Sequence, residues 1–164
     1  MAIKSVLLFC FILSCSISTA QIDDNVIRIQ VLENNKVNKK YTFGNWTENG
    51  GVQTDLIYLG FATAAKGRIF KILTSVWHWG QSHHTTSKIL IYNDQNQYLG
   101  EYNVGAIYDL PNELKNGVLC FYHDKTDNCD QDDHTYVDLK KRLPHKFFLK
   151  CKGSYGDIYS FYSQ

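Results

Sequence analysis

The chain has 164 residues, 44% hydrophobic and 20% charged, with 17 Lys and Arg against 16 Asp and Glu and a formal net charge of +1. That length suits one domain. Eleven Gly and two Pro are too few for a collagen-like or low-complexity chain, and the even charge balance excludes a polyanion binder that works by counterion release.

Residues 1–20 read as a secretory signal peptide. Lys4 stands near the start, an apolar run follows from Val6 to Leu13, and Ser16-Ile17-Ser18-Thr19-Ala20 supplies small residues for cleavage after Ala20. The apolar run is shorter than the ~20 residues that cross a bilayer. Cleavage leaves 144 residues with 16 basic and 16 acidic side chains, and removes Cys10 and Cys15. The expectation is a secreted, extracellular protein with one domain over residues 21–164.

Beyond the leader, the hydrophobic period is two. Val26 to Val31 alternates Ile27, Ile29 and Val31 against Arg28 and Gln30, which predicts a strand. Asn45-Trp46-Thr47 is an N-glycosylation acceptor in a polar stretch, so Asn45 is the candidate glycan site of a glycoprotein. Strands are predicted over Leu56 to Phe61 and Ile69 to Trp77.

After these comes the least ordinary stretch, Trp77-His78-Trp79-Gly80-Gln81-Ser82-His83-His84. Alternation places Trp77 and Trp79 on one face and His78 on the other, which suits a strand running into a polar hairpin loop. The competing reading takes His78 with His83 or His84 as ligands of Zn²⁺ or Cu²⁺, given a further His or carboxylate from elsewhere in the fold.

Further strands are predicted over Ile89 to Tyr92, Tyr98 to Val104 and Val118 to Tyr122, with one helical turn at Pro111 to Lys115 because Pro favours the first helical position. Asp124, Asp127, Asn128, Asp130, Asp132 and Asp133 then crowd one loop. An EF-hand is excluded, since its sixth position is Asp133 where Gly is needed and its twelfth is Leu139 where Glu is needed. A non-standard Ca²⁺ site on Asp127, Asp130 and Asp132 is the alternative to a hydrated turn.

Strands over Tyr136 to Leu139, Phe147 to Cys151 and Ile158 to Tyr162 complete the set. Turn chemistry separates the strands at Glu48-Asn49-Gly50-Gly51, Asn93-Asp94-Gln95-Asn96, Asn116-Gly117 and Gly153-Ser154-Tyr155-Gly156. Eight or nine short strands at this spacing predict an all-β, antiparallel sandwich or barrel. Export permits a disulfide among Cys120, Cys129 and Cys151. Cys129 lies in a polar loop and Cys120 in an apolar run, which favours Cys129 with Cys151; Cys120 with Cys151 across two strands is the alternative.

Lys66-Gly67-Arg68-Ile69, Ile89-Leu90-Ile91-Tyr92-Asn93-Asp94 and Phe121-Tyr122-His123-Asp124 followed by Cys129 occur in an order that resembles the nematode transthyretin-like family, over roughly Lys66 to Leu149. The resemblance implies a secreted β-sandwich of transthyretin-like or immunoglobulin-like architecture, and does not imply thyroid-hormone binding. The chain departs from the family pattern at Lys125, where a Cys is usual, at Phe70-Lys71, where a first-strand Cys is expected, and in the additional stretch from Asp23 to Gly60.

Catalytic signatures are absent from the sequence: there is no Gly-x-Ser-x-Gly elbow and no His-Glu-x-x-His. In Tyr122-His123-Asp124 the His and Asp point to opposite sides of an extended strand. The expected function is binding without catalysis and without a cofactor, to an extracellular ligand or cell-surface partner: a lipid or other hydrophobic ligand, a glycan or a protein. Trp77 and Trp79 with Tyr155, Tyr159 and Tyr162 are the candidate contact residues. Such a protein has no nucleic-acid partner and no membrane span, and is a monomer or weak dimer. The alternative is a metal-binding protein or metal-dependent hydrolase built on His78, His83 and His84 with His123. The first reading calls for an exposed aromatic patch and no convergent polar cleft, the second for a pocket in which His123 meets His78, His83 or His84.

Overall fold

The structure is a computed structural model that describes residues 23–123 and 129–164. The expected leader with Cys10 and Cys15 lies outside them, as do Asp124, Asp127 and Asn128 of the acidic loop. Among the described residues, a helix α1 (Asp24–Asn34) precedes ten strands. These are β1 (Lys40–Gly44), β2 (Gln53–Thr63), β3 (Ile69–Trp79), β4 (His84–Tyr92), β5 (Tyr98–Val104), β6 (Glu113–Lys115), β7 (Val118–Phe121), β8 (Thr135–Asp138), β9 (Lys146–Lys152) and β10 (Tyr155–Ser163).

The strands form two antiparallel sheets, one ordered β1-β2-β3-β4-β5-β10-β9 and the other β6-β7-β8. The fold is an all-β sandwich, as the period-two pattern predicts.

Alternation along β2 to β5 gives the large sheet two apolar faces. Its inner face sends Ile72, Ile89, Ile91, Tyr102 and Phe147 against Leu119, Phe121 and Val137 of the small sheet. Its outer face presents Leu56, Tyr58, Leu73, Leu90 and Tyr92, and these are covered by Ile27, Val31 and Leu32 of α1. Gly100 lets β5 and β10 meet: its φ is +145°, and a Cβ there would collide with the carbonyl oxygen of Tyr162.

Two predicted elements are corrected. Val26 to Val31 lies in α1 instead of forming a strand. The Asp23 carboxylate caps the first turn by accepting from the Asn25 amide at 2.9 Å, Asp24 pairs with Arg28 one turn on, and Asn35 closes the helix in the left-handed conformation. Ile27, Val31 and Leu32 fall on one helical face, so the apparent alternation ending at Val31 conceals a helical stripe that Leu32 completes. Pro111 to Lys115 is not a helical turn, because Glu113–Lys115 is β6 and pairs with β7. Asn116 and Gly117 both have positive φ, as a two-residue hairpin of this kind requires, and such a turn demands a strand on each side. Strand β1 falls in a stretch for which no element is predicted from the sequence.

Candidate functional site

The site is built on the inner face of β1, β2 and β3. Thr42 stands opposite Asp55 across β1 and β2, and Gln53 stands opposite His78 across β2 and β3. Lys40 and His78 are therefore diagonal neighbours of Asp55 on the same face. All of these groups meet on one carboxylate. Asp55 Oδ2 accepts from Lys40 Nζ at 2.8 Å and lies 3.1 Å from His78 Nε2. Asp55 Oδ1 accepts from Thr42 Oγ1 at 2.7 Å and Gln53 Nε2 at 3.2 Å. Burial pushes the Asp55 carboxyl up, but the hydrogen bonds from Lys40, Thr42 and His78 outweigh it and hold it below the usual carboxylate range.

The chain of contacts continues outward. His78 Nδ1 lies 3.1 Å from His83 Nε2, and the His83 ring stacks on Trp46 with 3.8 Å between centroids. The Trp46 indole donates to the Gly80 carbonyl oxygen at 2.7 Å, which ties the loop after β1 to the turn between β3 and β4. His83 has φ of +51°, a left-handed backbone conformation that costs a non-glycine residue about 1 kcal/mol. The bond to His78 and the stack on Trp46 hold it there.

Below this polar corner lies a cleft of about 440 Å³, within the range usual for small-molecule sites. Ile57, Leu59 and Val76 form its floor, and Ile107, Leu110 and Pro111 form an apolar wall opposite. The wall is fixed by Asp109, a buried carboxylate that accepts from the Ala106 amide at 2.7 Å and the Tyr159 hydroxyl at 2.9 Å. Asn112 Oδ1 accepts from the Tyr122 amide at 2.7 Å and joins the wall to the end of β7.

The four histidines of the metal reading are not brought together. His84 stands opposite Trp79 on the outer face, with the two rings 4.8 Å apart. His123 lies against β9, its Nε2 2.6 Å from the Lys150 carbonyl oxygen. His78 and His83 do meet, but in line with Asp55, each ring bonded to the next, whereas ligands surround one point. Among the described residues, no three His, Cys, Asp or Glu side chains form a group that could hold a metal ion. Of the calcium candidates, Asp130 and Asp132 are exposed and Asp127 lies outside the described residues; the neighbouring Asp133 carboxylate pairs with Lys150.

Four of the five aromatic candidates are exposed: Trp77, Trp79, Tyr155 and Tyr162. Trp77 and Trp79 stack on each other on the outer face, 5.6 Å between centroids. Tyr159 is corrected, because it is buried and its hydroxyl is bound to Asp109, so it serves the fold and offers no contact surface. Cys129 and Cys151 form a disulfide, and Cys120 is a buried free thiol. Asn45 is exposed in the loop after β1.

Sequence reasoning missed Asp55, Lys40 and the cleft. The signal available for Asp55 was an acidic residue directly before the apolar run Leu56 to Phe61, at a position whose alternation points inward. No family model matches the chain, and neither a curated protein nor a solved structure matches it.

Proposed function

We propose that the protein is a secreted binding module that receives a small, mainly apolar molecule in the cleft between β2–β3 and the 106–112 loop. The observation that carries this reading is the cleft itself: an apolar floor and wall, a polar corner at Lys40, Asp55 and His78, and a wall hydrogen-bonded in place through Asp109 and Asn112. The cleft faces no free acid or base at that corner, because both oxygens of Asp55 and both ring nitrogens of His78 are already engaged. Export is supported by the leader-like N-terminal segment and by the Cys129–Cys151 disulfide. Exposure of Asn45 supports its use as a glycan acceptor. No helix among the described residues is long and apolar enough to cross a membrane.

The test uses Nile red, an uncharged apolar dye whose emission rises on transfer from water. Titration should give saturable one-to-one binding, weakened at least about tenfold by Ile57→Trp, which fills the floor, while cooperative unfolding is retained. Equal binding by the variant, or no saturable binding by the native protein, would overturn the reading.

A further inference from the structure

We infer that the cleft selects an uncharged ligand, one with an apolar body and a neutral hydrogen-bonding head such as an alcohol, over carboxylates and amines of the same shape. The inference rests on the cleft being a binding site and adds the class of molecule that it accepts. Its basis is the pairing of the charges that line the cleft.

Two formally charged side chains line it, Lys40 and Asp55, and they are bonded to each other at 2.8 Å. Asp55 is saturated: Lys40 and His78 reach one oxygen, and Thr42 and Gln53 reach the other. A cationic head would therefore have to displace a donor to reach that carboxylate. An anionic head at Lys40 would sit beside the charge that Lys40 already neutralises. Either ion would leave water for a site that offers it no counter-charge of its own, and desolvation would oppose binding.

A neutral head meets no such opposition. The Asn38 amide and the Tyr108 phenol line the same cleft, and both side chains are exposed at its rim. Each can donate and accept. An alcohol or amide can bond there while its apolar part covers Ile57, Leu59 and Val76.

The experiment is displacement of Nile red at pH 7 by 1-decanol, decanoate and decylammonium, which share one chain and differ in the charge of the head. The native protein should prefer decanol to each ion by at least about tenfold. Two variants should change the sign of the charge preference, an outcome that a merely structural role for the pair does not produce. Lys40→Met removes the counter-ion of Asp55 and should bring decylammonium level with or ahead of decanol; Asp55→Asn frees Lys40 and should do the same for decanoate. Lys40 is more than half exposed, so Lys40→Met supplies a folded variant even if Asp55→Asn does not fold.

Displacement by either ion as effectively as by decanol in the native protein overturns the inference. So does displacement by none of the three, or an unchanged preference in folded Lys40→Met, while Nile red binding and its loss in Ile57→Trp leave the binding reading standing. Failure of Nile red itself to bind removes the binding reading, and the inference with it.

Discussion

The Nδ1 atom of His78 lies 3.1 Å from the Nε2 atom of His83, on the far side of a ring whose own Nε2 atom lies 3.1 Å from Asp55. The order of the protons follows from the chemistry of the buried end. An ionised carboxylate only accepts, so His78 donates from Nε2; its Nδ1 in the neutral ring then accepts, and His83 donates from Nε2. With the His78 ring neutral, a buried carboxylate on β2 thereby sets the tautomer of an exposed imidazole in the turn between β3 and β4.

Removing that carboxylate should loosen the whole corner. Asp55→Ala leaves His78 and Lys40 without their acceptor and should lower stability by about 2 kcal/mol, the scale of hydrogen bonds to a charged group. Thr42→Ala removes one neutral donor and should cost about 1 kcal/mol. Urea denaturation of the two variants checks the order, and a loss at Thr42 equal to that at Asp55 would contradict the central place of the carboxylate.

Stability should fall at both ends of the pH scale. At Asp55, and at Glu101, burial pushes the carboxyl up but hydrogen bonds outweigh it, from Lys40, Thr42 and His78 in one case and from Lys88 and Tyr98 in the other. Both folded values lie below the ordinary 3.8 and 4.5, so the folded chain binds fewer protons than the unfolded chain in that region. The stability they provide is complete above 4.5 and is lost as pH falls through their folded values. Burial acts in the same sense on Tyr58, Tyr92, Tyr98, Tyr102 and Tyr159 but is not outweighed there, so each phenol is raised above its ordinary 10.0. Their contribution is complete below 10.0 and is lost as pH rises through the folded values. Thermal melts across pH should show a plateau between these limits with a decline on each side.

The three cysteines of the expected mature chain should behave differently. Reduction of Cys129–Cys151, which closes a loop with a sequence separation of 22, should lower stability by about 3 kcal/mol. Cys120 is buried among the residues of β7 and its neighbours, so its thiol should react with an aromatic disulfide reagent only after denaturation. Thiol counting before and after denaturant, with a peptide map of the unreduced protein, checks both. Rapid reaction of one thiol in the native state would contradict the assignment.

Local patterns carried most of the architecture. Alternation over β2 to β5 and the turn residues Asn93 to Asn96 and Asn116-Gly117 are visible along the chain because a strand's faces and a hairpin's φ values are set by near neighbours. Local pattern also misled, where Ile27, Ile29 and Val31 alternate inside a helix whose burial depends on packing against Leu73 and Leu90. The Trp and His content of residues 77–84 was equally legible, yet nothing in its spacing showed that His83 turns to His78 and Trp46 while His84 turns to Trp79.

By itself the sequence determined the β-sandwich class, the candidate leader and the residues available for a disulfide, because composition and short-range periodicity encode them. Tertiary structure alone decided which cysteines pair, that Asp55 and His83 engage the two ring nitrogens of His78, and that a cleft exists at all. Those outcomes depend on the register of β1 against β2, which brings Lys40 and Thr42 to Asp55, and on the approach of residues 107–112 to β2 and β3. Both are long-range relationships, with no trace in the spacing of neighbours along the chain.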